Sequence, residues 1–233
     1  MEPRPTTETL DNHTCKLSFI RHGQSMYNKR RFEGGLAEGY DYRDDTNELS
    51  EKGREQAQQI VEKIEEATKN TDTLFYISLL SRAVQTIEPY LEKTYGLKLT
   101  SHPVYLETKQ RFDQAMKNNT FRRQDFTNIE VEKNIYLDAR VMERRIDTSK
   151  VDHVPIINTC TGLRTELTER AENFLQEMKQ HAGKQIIISS HRNYILRYKR
   201  HFNGIHYLLD RDPTKTEIKI RNGELHTFYL DTR

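Results

Sequence analysis

The chain has 233 residues, with 37 basic and 35 acidic side chains and a formal net charge of +2, a balance that gives no reason to expect nucleic acid as a partner. Only 34% of residues are apolar and mean hydropathy is −0.90. The apolar runs Leu17 to Ile20, Leu74 to Leu80 and Ile186 to Ile188 fall well short of the roughly 18 residues that a membrane span needs. Cys15 and Cys160 are the only cysteines, too few and too far apart for a disulfide framework or a zinc site. With no charged-then-apolar leader at the start, the expectation is a cytoplasmic protein that needs no metal and no cofactor.

Residues 1–14 carry two prolines and several threonines without apolar periodicity and read as a flexible tail; residues 15–233 read as a single domain. Lys16 to Ile20 is a β-type run that breaks off at Arg21-His22-Gly23, and the polar, glycine-containing stretch from Arg30 to Asn47 reads as a loop. Ala57, Ile60, Val61 and Ile64 recur at helical spacing and predict a helix over 51–68. Leu74 to Ser78 reads as a strand, and Ser81 to Tyr95 as a helix closed by Gly96. Leu97 to Leu106 is expected to be extended, and the polar, irregular stretch from about 107 to 160 reads as an insertion or lid over the active site. Helical spacing resumes over Thr165 to Gln180. Lys184 to Ser190 is the clearest buried strand, a helix is expected from about Tyr194 to Phe202, and Asn222-Gly223 marks a hairpin turn between Glu217–Ile220 and Leu225–Leu230. Alternating β and α units predict a three-layer α/β/α sandwich with a mostly parallel central sheet.

In open α/β sheets, functional groups collect at the carboxyl ends of strands. His22 and His191 both fall at such ends, each beside an arginine, and Arg82 follows the Leu74–Ser78 strand at the entry to its helix. The set suits a phosphoryl group. A neutral imidazole attacks phosphorus, arginines hold the equatorial oxygens with planar, permanently charged donors, and a carboxylic acid would serve the leaving oxygen. The other seven histidines show no metal-ligand spacing.

Four segments in order resemble the histidine phosphatase superfamily, also called phosphoglycerate-mutase-like. They are Leu17-Ser18-Phe19-Ile20-Arg21-His22-Gly23-Gln24-Ser25-Met26-Tyr27-Asn28, Leu49-Ser50-Glu51-Lys52-Gly53-Arg54-Glu55-Gln56-Ala57, Ser78-Leu79-Leu80-Ser81-Arg82-Ala83-Val84-Gln85-Thr86 and Ile186-Ile187-Ile188-Ser189-Ser190-His191. The resemblance covers most of residues 16 to 230. It implies that His22 is the phosphorylated nucleophile, that Arg21, Arg82 and His191 bind the phosphoryl group, and that Asn28 stands at the pocket edge. The chain departs from the family pattern at Arg192, where glycine is usual.

Two glutamates compete as the acid. Glu107 lies 25 residues after Arg82, near the family's usual separation, and is favoured. The run Asp138-Ala139-Arg140-Val141-Met142-Glu143-Arg144 resembles the local pattern around the acid in some members and points to Glu143. The expected activity is hydrolysis of a phosphomonoester. Thr108-Lys109-Gln110 replaces the arginine-aromatic-glycine run typical of mutases, which makes a phosphoglycerate mutase the second choice. A catalytically weak member that binds phosphorylated ligands or proteins is the alternative outside enzyme chemistry.

Overall fold

The computed structural model describes residues 13–34, 47–142, 172–196 and 220–232. Six strands, β1 (Thr14–Arg21), β2 (Thr73–Ile77), β3 (Ile129–Glu132), β4 (Ile135–Leu137), β5 (Gln185–Ser190) and β6 (Leu225–Asp231), form one sheet in the order β3-β4-β2-β5-β1-β6. The four inner strands run parallel, and β3 and β6 flank them antiparallel. The helices are α1 (Met26–Glu33), α2 (Glu51–Gln59), α3 (Val61–Thr68), α4 (Ser81–Tyr95) and α5 (Pro103–Lys117), with α6 over 172–178 and α7 over 192–196. None is long and apolar enough to cross a membrane.

Side chains alternate across a strand, and the inner strands use both faces. Phe75, Ile77 and Ile187 join Ile64, Val84 and Ile87 from α3 and α4 in one core. Leu74, Tyr76, Ile186 and Ile188 point the other way and join Phe174, Met178, Tyr194 and Ile195 from α6 and α7 in a second. Full burial of each such side chain stabilises by about 1.5–3 kcal/mol, so the sandwich is secured by short apolar runs despite the polar composition.

Several elements lie where periodicity puts them. The α4 helix ends at Gly96, whose φ of 65° is the left-handed conformation that glycine adopts without strain. Its N–H reaches Glu92 O while Leu97 N–H reaches Leu91 O, which satisfies the last carbonyls. The expected 51–68 helix is two helices, α2 and α3, that meet at Ile60.

Other expectations are corrected. Leu97 to Leu106 is not extended: a short 3₁₀ turn at Leu99–Ser101 leads into α5, with Pro103 at its first position, where a missing N–H costs nothing. The described part of the supposed 107–160 lid is regular structure. It completes α5 and then supplies β3 and β4, and β4 pairs with β2 inside the sheet. Arg30 to Glu33 belong to α1 rather than a loop. The Asn222-Gly223 turn leads into β6, which pairs with β1; all but Ile220 of the expected hairpin partner Glu217–Ile220 lies outside the described residues. The N-terminal tail, the start of the 165–180 helix and Cys160 lie outside the described residues.

One buried ionic group ties β4 to α6. Arg140 donates to Asp138 (Nε to Oδ1, 3.0 Å), to Asn128 (Nη2 to Oδ1, 2.7 Å) and to Glu177, and it stacks over the Phe174 ring at 5.3 Å. Burial pushes the Asp138 carboxyl up although Arg140 opposes this. At Glu177 burial acts upward too, but the Arg140 hydrogen bonds and charge outweigh it and hold the carboxyl low. Glu177 therefore contributes stability above the ordinary carboxylate range that is lost as pH falls. Asp138 is fully buried, so Arg140→Ala should cost about 3–5 kcal/mol by leaving that carboxylate uncompensated. Urea unfolding at neutral pH checks this, and a loss below about 1 kcal/mol would show that the pair breaks even.

Candidate active site

Parallel pairing of β1 with β5 sets Arg21 opposite Ser190, so the next residue of each strand, His22 and His191, emerges at the same level of the carboxyl edge. Their rings lie 5.1 Å apart at 56°, and both side chains are buried. On the far side of β5, Ile77 is level with Ser189. The residue after it, Ser78, brings its hydroxyl oxygen within 2.8 Å of His191 Nε2. Three residues on, α4 opens without an acidic residue in its first turn and without a side-chain cap, and its second residue, Arg82, is buried at 9% exposure. A helix N-terminus carries positive partial charge and unpaired N–H groups. With the buried Arg82 there as well, this corner of the molecule gathers positive charge.

The His22 ring has a defined tautomer. Its Nδ1 lies 2.7 Å from the Gly23 carbonyl oxygen, which can only accept, so Nδ1 carries the proton and Nε2 of the neutral ring keeps its lone pair. That pair is what an in-line attack on phosphorus requires.

The loop after His22 is held from two sides. Gly23 N–H donates to Thr86 Oγ1 at 2.9 Å, and the same hydroxyl donates to Arg82 O at 2.6 Å. Gln24 N–H donates to Gln56 Oε1 (2.8 Å), Leu49 N–H to Gln85 Oε1 (2.9 Å), and Ser50 N–H to Gln24 O (2.8 Å). Ser50 also caps α2 by accepting from Gly53 N–H. A Cβ on Gly23 would stand 2.5 Å from Gly53 O, and one on Gly53 would strike Gln24 O. The second and third sequence motifs thus act largely through amides and small residues that fit around the first.

Of the residues singled out in sequence, His22, His191 and Arg82 converge on this edge. Arg21 points one guanidinium nitrogen at Ile220 O, 2.7 Å away. Asn28, at the third position of α1, accepts from Ser25 N–H and from Asn222 Nδ2 at 3.3 Å. Arg192 is exposed. Glu107 does not join them. It is exposed on α5 beside a cleft lined by Arg111, Phe121 and Phe126. The residue that opens α5, His102, lies 3.8 Å from Glu132, which pairs with Ile135 at the start of β4, three strands from β1 and so about 14 Å away. Spacing along the chain did not anticipate that Pro103–Lys117 is a helix, α5. Glu143 lies outside the described residues. Its neighbours do not: Met142 is buried, and Val141 O accepts from the Ser190 hydroxyl, one residue before His191. Sequence reading missed Asn222, for which the only signal is the Asn-Gly turn pair. Among the described residues no group of His, Cys, Asp and Glu could hold a metal ion.

Residues 17–214 match the family model of the histidine phosphatase superfamily, branch 1. The chain belongs to that superfamily. Solved structures similar to this chain include a phosphoserine phosphatase from Entamoeba histolytica in complex with phosphoserine (18% identity, 91% of this chain and 89% of that one, TM-score 0.49). A mycobacterial glucosyl-3-phosphoglycerate phosphatase (16%, 91% and 90%, 0.48) and a phosphohistidine phosphatase from Agrobacterium tumefaciens described as putative (12%, 82% and 77%, 0.42) are others. Membership supports phosphatase or mutase-like activity in general.

Because the His22 loop of this superfamily member is packed directly on Gly53, Gly53→Ala should cost about 1–3 kcal/mol through forced backbone movement and lower turnover more than an equally destabilising core substitution. Thermal melting alongside steady-state rates checks this. Wild-type turnover in a folded variant would show that the loop tolerates displacement.

Proposed function

We propose that the chain hydrolyses a phosphomonoester through a phosphohistidine on His22. The observation that carries this reading is the buried His22 ring, proton fixed on Nδ1 by the Gly23 carbonyl, with the His191 ring 5.1 Å beside it at the carboxyl edge. Nε2 attacks phosphorus, the bond from phosphorus to the ester oxygen breaks, and a carboxylic acid gives that oxygen its proton. Arg21, Arg82 and the N-terminus of α4 supply positive charge for the equatorial oxygens and His191 a ring nitrogen beside them, which is most of what phosphoryl transfer asks of a protein. Water then attacks the phosphohistidine, the carboxylate takes its proton, and the P–N bond breaks to release phosphate and restore neutral His22.

For the proton donor, chain connectivity supports Glu143 over Glu107. The strand β4 ends at the same edge as β2 and β5, the Val141 carbonyl is bonded to Ser190, and Glu143 is two residues further along the chain. Glu143→Gln should lower turnover by about 10²–10⁴-fold, the usual worth of a general acid, with phosphate binding retained, and Glu107→Gln should stay near wild type. The reverse pattern would return the role to Glu107, and two unchanged variants would remove both.

Thr108-Lys109-Gln110 speaks against mutase action only if Glu107 is the acid; after Glu143 the chain has Arg144-Arg145-Ile146, with the arginine but neither the aromatic nor the glycine of the mutase pattern. Turnover of p-nitrophenyl phosphate should persist in EDTA and vanish in His22→Ala, while a phosphoglycerate should be hydrolysed or ignored rather than isomerised. Isomerisation would favour the mutase. A folded wild type with neither activity would leave a phospho-ligand-binding protein.

A further inference from the structure

We propose that Asn222 is a positioning residue that sets the tautomer and aim of His22 from 200 residues away along the chain. Its side-chain amide Nδ2 donates to His22 O at 2.9 Å, to Gly23 O at 3.1 Å and to Asn28 Oδ1 at 3.3 Å. The Gly23 oxygen is the same atom that accepts the His22 Nδ1 proton. A carbonyl has two lone pairs, so one oxygen takes the ring N–H and the Asn222 N–H together, and the second bond fixes the direction in which the first is offered.

The turn that carries Asn222 is built around this residue pair. Gly223 N–H donates to Arg21 O at 3.0 Å and Arg21 N–H to Glu224 O at 3.1 Å, while the Arg21 guanidinium holds Ile220 O. Gly223 has φ 69°, and a Cβ there would lie 2.8 Å from the Gln56 Cβ. Only glycine both adopts this backbone easily and fits against α2. The turn is therefore clasped to Arg21 on one side and wedged on α2 on the other, which leaves the Asn222 amide little freedom except toward the His22 and Gly23 carbonyls.

Without that amide donor the Gly23 carbonyl is oriented only through the Gln24 N–H of its own peptide, held by Gln56, so it is offered to Nδ1 less strictly and the ring proton is less firmly committed there. A proton on Nε2 occupies the lone pair the reaction needs. An aspartate of the same shape cannot donate and sets a negative charge beside the ring, which favours the imidazolium. The kinetic consequence rests on His22 being the nucleophile; the tautomer does not.

The test uses side-chain ¹⁵N NMR of the whole protein, with the His22 signals assigned by their loss in His22→Ala, together with steady-state kinetics on p-nitrophenyl phosphate. Wild-type His22 should show the Nδ1–H signature. Asn222→Ala and Asn222→Asp should both lose its dominance, and Asn222→Asp should also move the His22 titration and the acid limb of kcat/KM to higher pH. Both variants should lower kcat about tenfold or more, as small misplacements of a reacting group do, with KM nearly unchanged and melting temperature near wild type. If either variant fails to fold, Asn222→Ser, small and uncharged and too short to reach the Gly23 carbonyl, decides. A wild-type tautomer and titration in the variants would overturn the inference, whatever the rates. If the wild type hydrolyses nothing, the functional reading fails and the NMR comparison still decides the role of Asn222.

Discussion

Parallel pairing between β1 and β5 is the constraint on which the rest depends. Strand pairing has a side-chain period of two, and a slip of one residue turns every side chain to the opposite face. With Arg21 level with Ser190, the two histidines leave the sheet together and Ser78 arrives beside them from β2. A slip would separate the imidazoles and at the same time turn Leu17, Phe19, Ile186 and Ile188 out of the core they share with α6 and α7 and into the differently shaped core on the other face. Hydrophobic burial on both faces thus enforces an alignment that the chemistry needs but could not impose by itself.

Around that alignment the chain spends polar residues on backbone rather than on chemistry. Gln56, Gln85, Thr86 and Ser50 each satisfy a peptide group of the segment from Gly23 to Leu49, or cap the helix that packs on it. Buried peptide groups are costly to leave unpaired, so each such residue both removes that cost and holds the loop in one shape. The contact between Gly23 and Gly53 is the steric counterpart, since neither position has room for a side chain.

Legibility followed apolar density. The strands β2 and β5 and the helix α4 were readable because Leu74 to Ile77, Ile186 to Ile188 and the spaced set Ala83, Val84, Ile87, Tyr90 and Leu91 have a clear period and a Gly96 stop. The short β4, three residues at Ile135–Leu137, is too brief to show one, and α1 buries only Tyr27, so its period is hidden; its signal was the Ser25 and Asn28 capping pair. His22, His191 and Arg82 were found because each follows or opens a readable element. Glu107 was favoured on a count of residues from Arg82, and such a count carries no information about α5, the helix on which Glu107 lies. The Asn222 contacts were invisible because they join residues 200 positions apart.

The antiparallel addition of β6 to β1 also has a bearing on biosynthesis. Contacts between residues far apart in sequence form late, because loop closure must be paid before they reward it. As the chain emerges at roughly 5–20 residues per second, the loop that contains His22 is made well before Ile220 to Glu224, on which its clasp depends. Its nascent form holds the histidine without the geometry, so the site is assembled only once that later segment has been made.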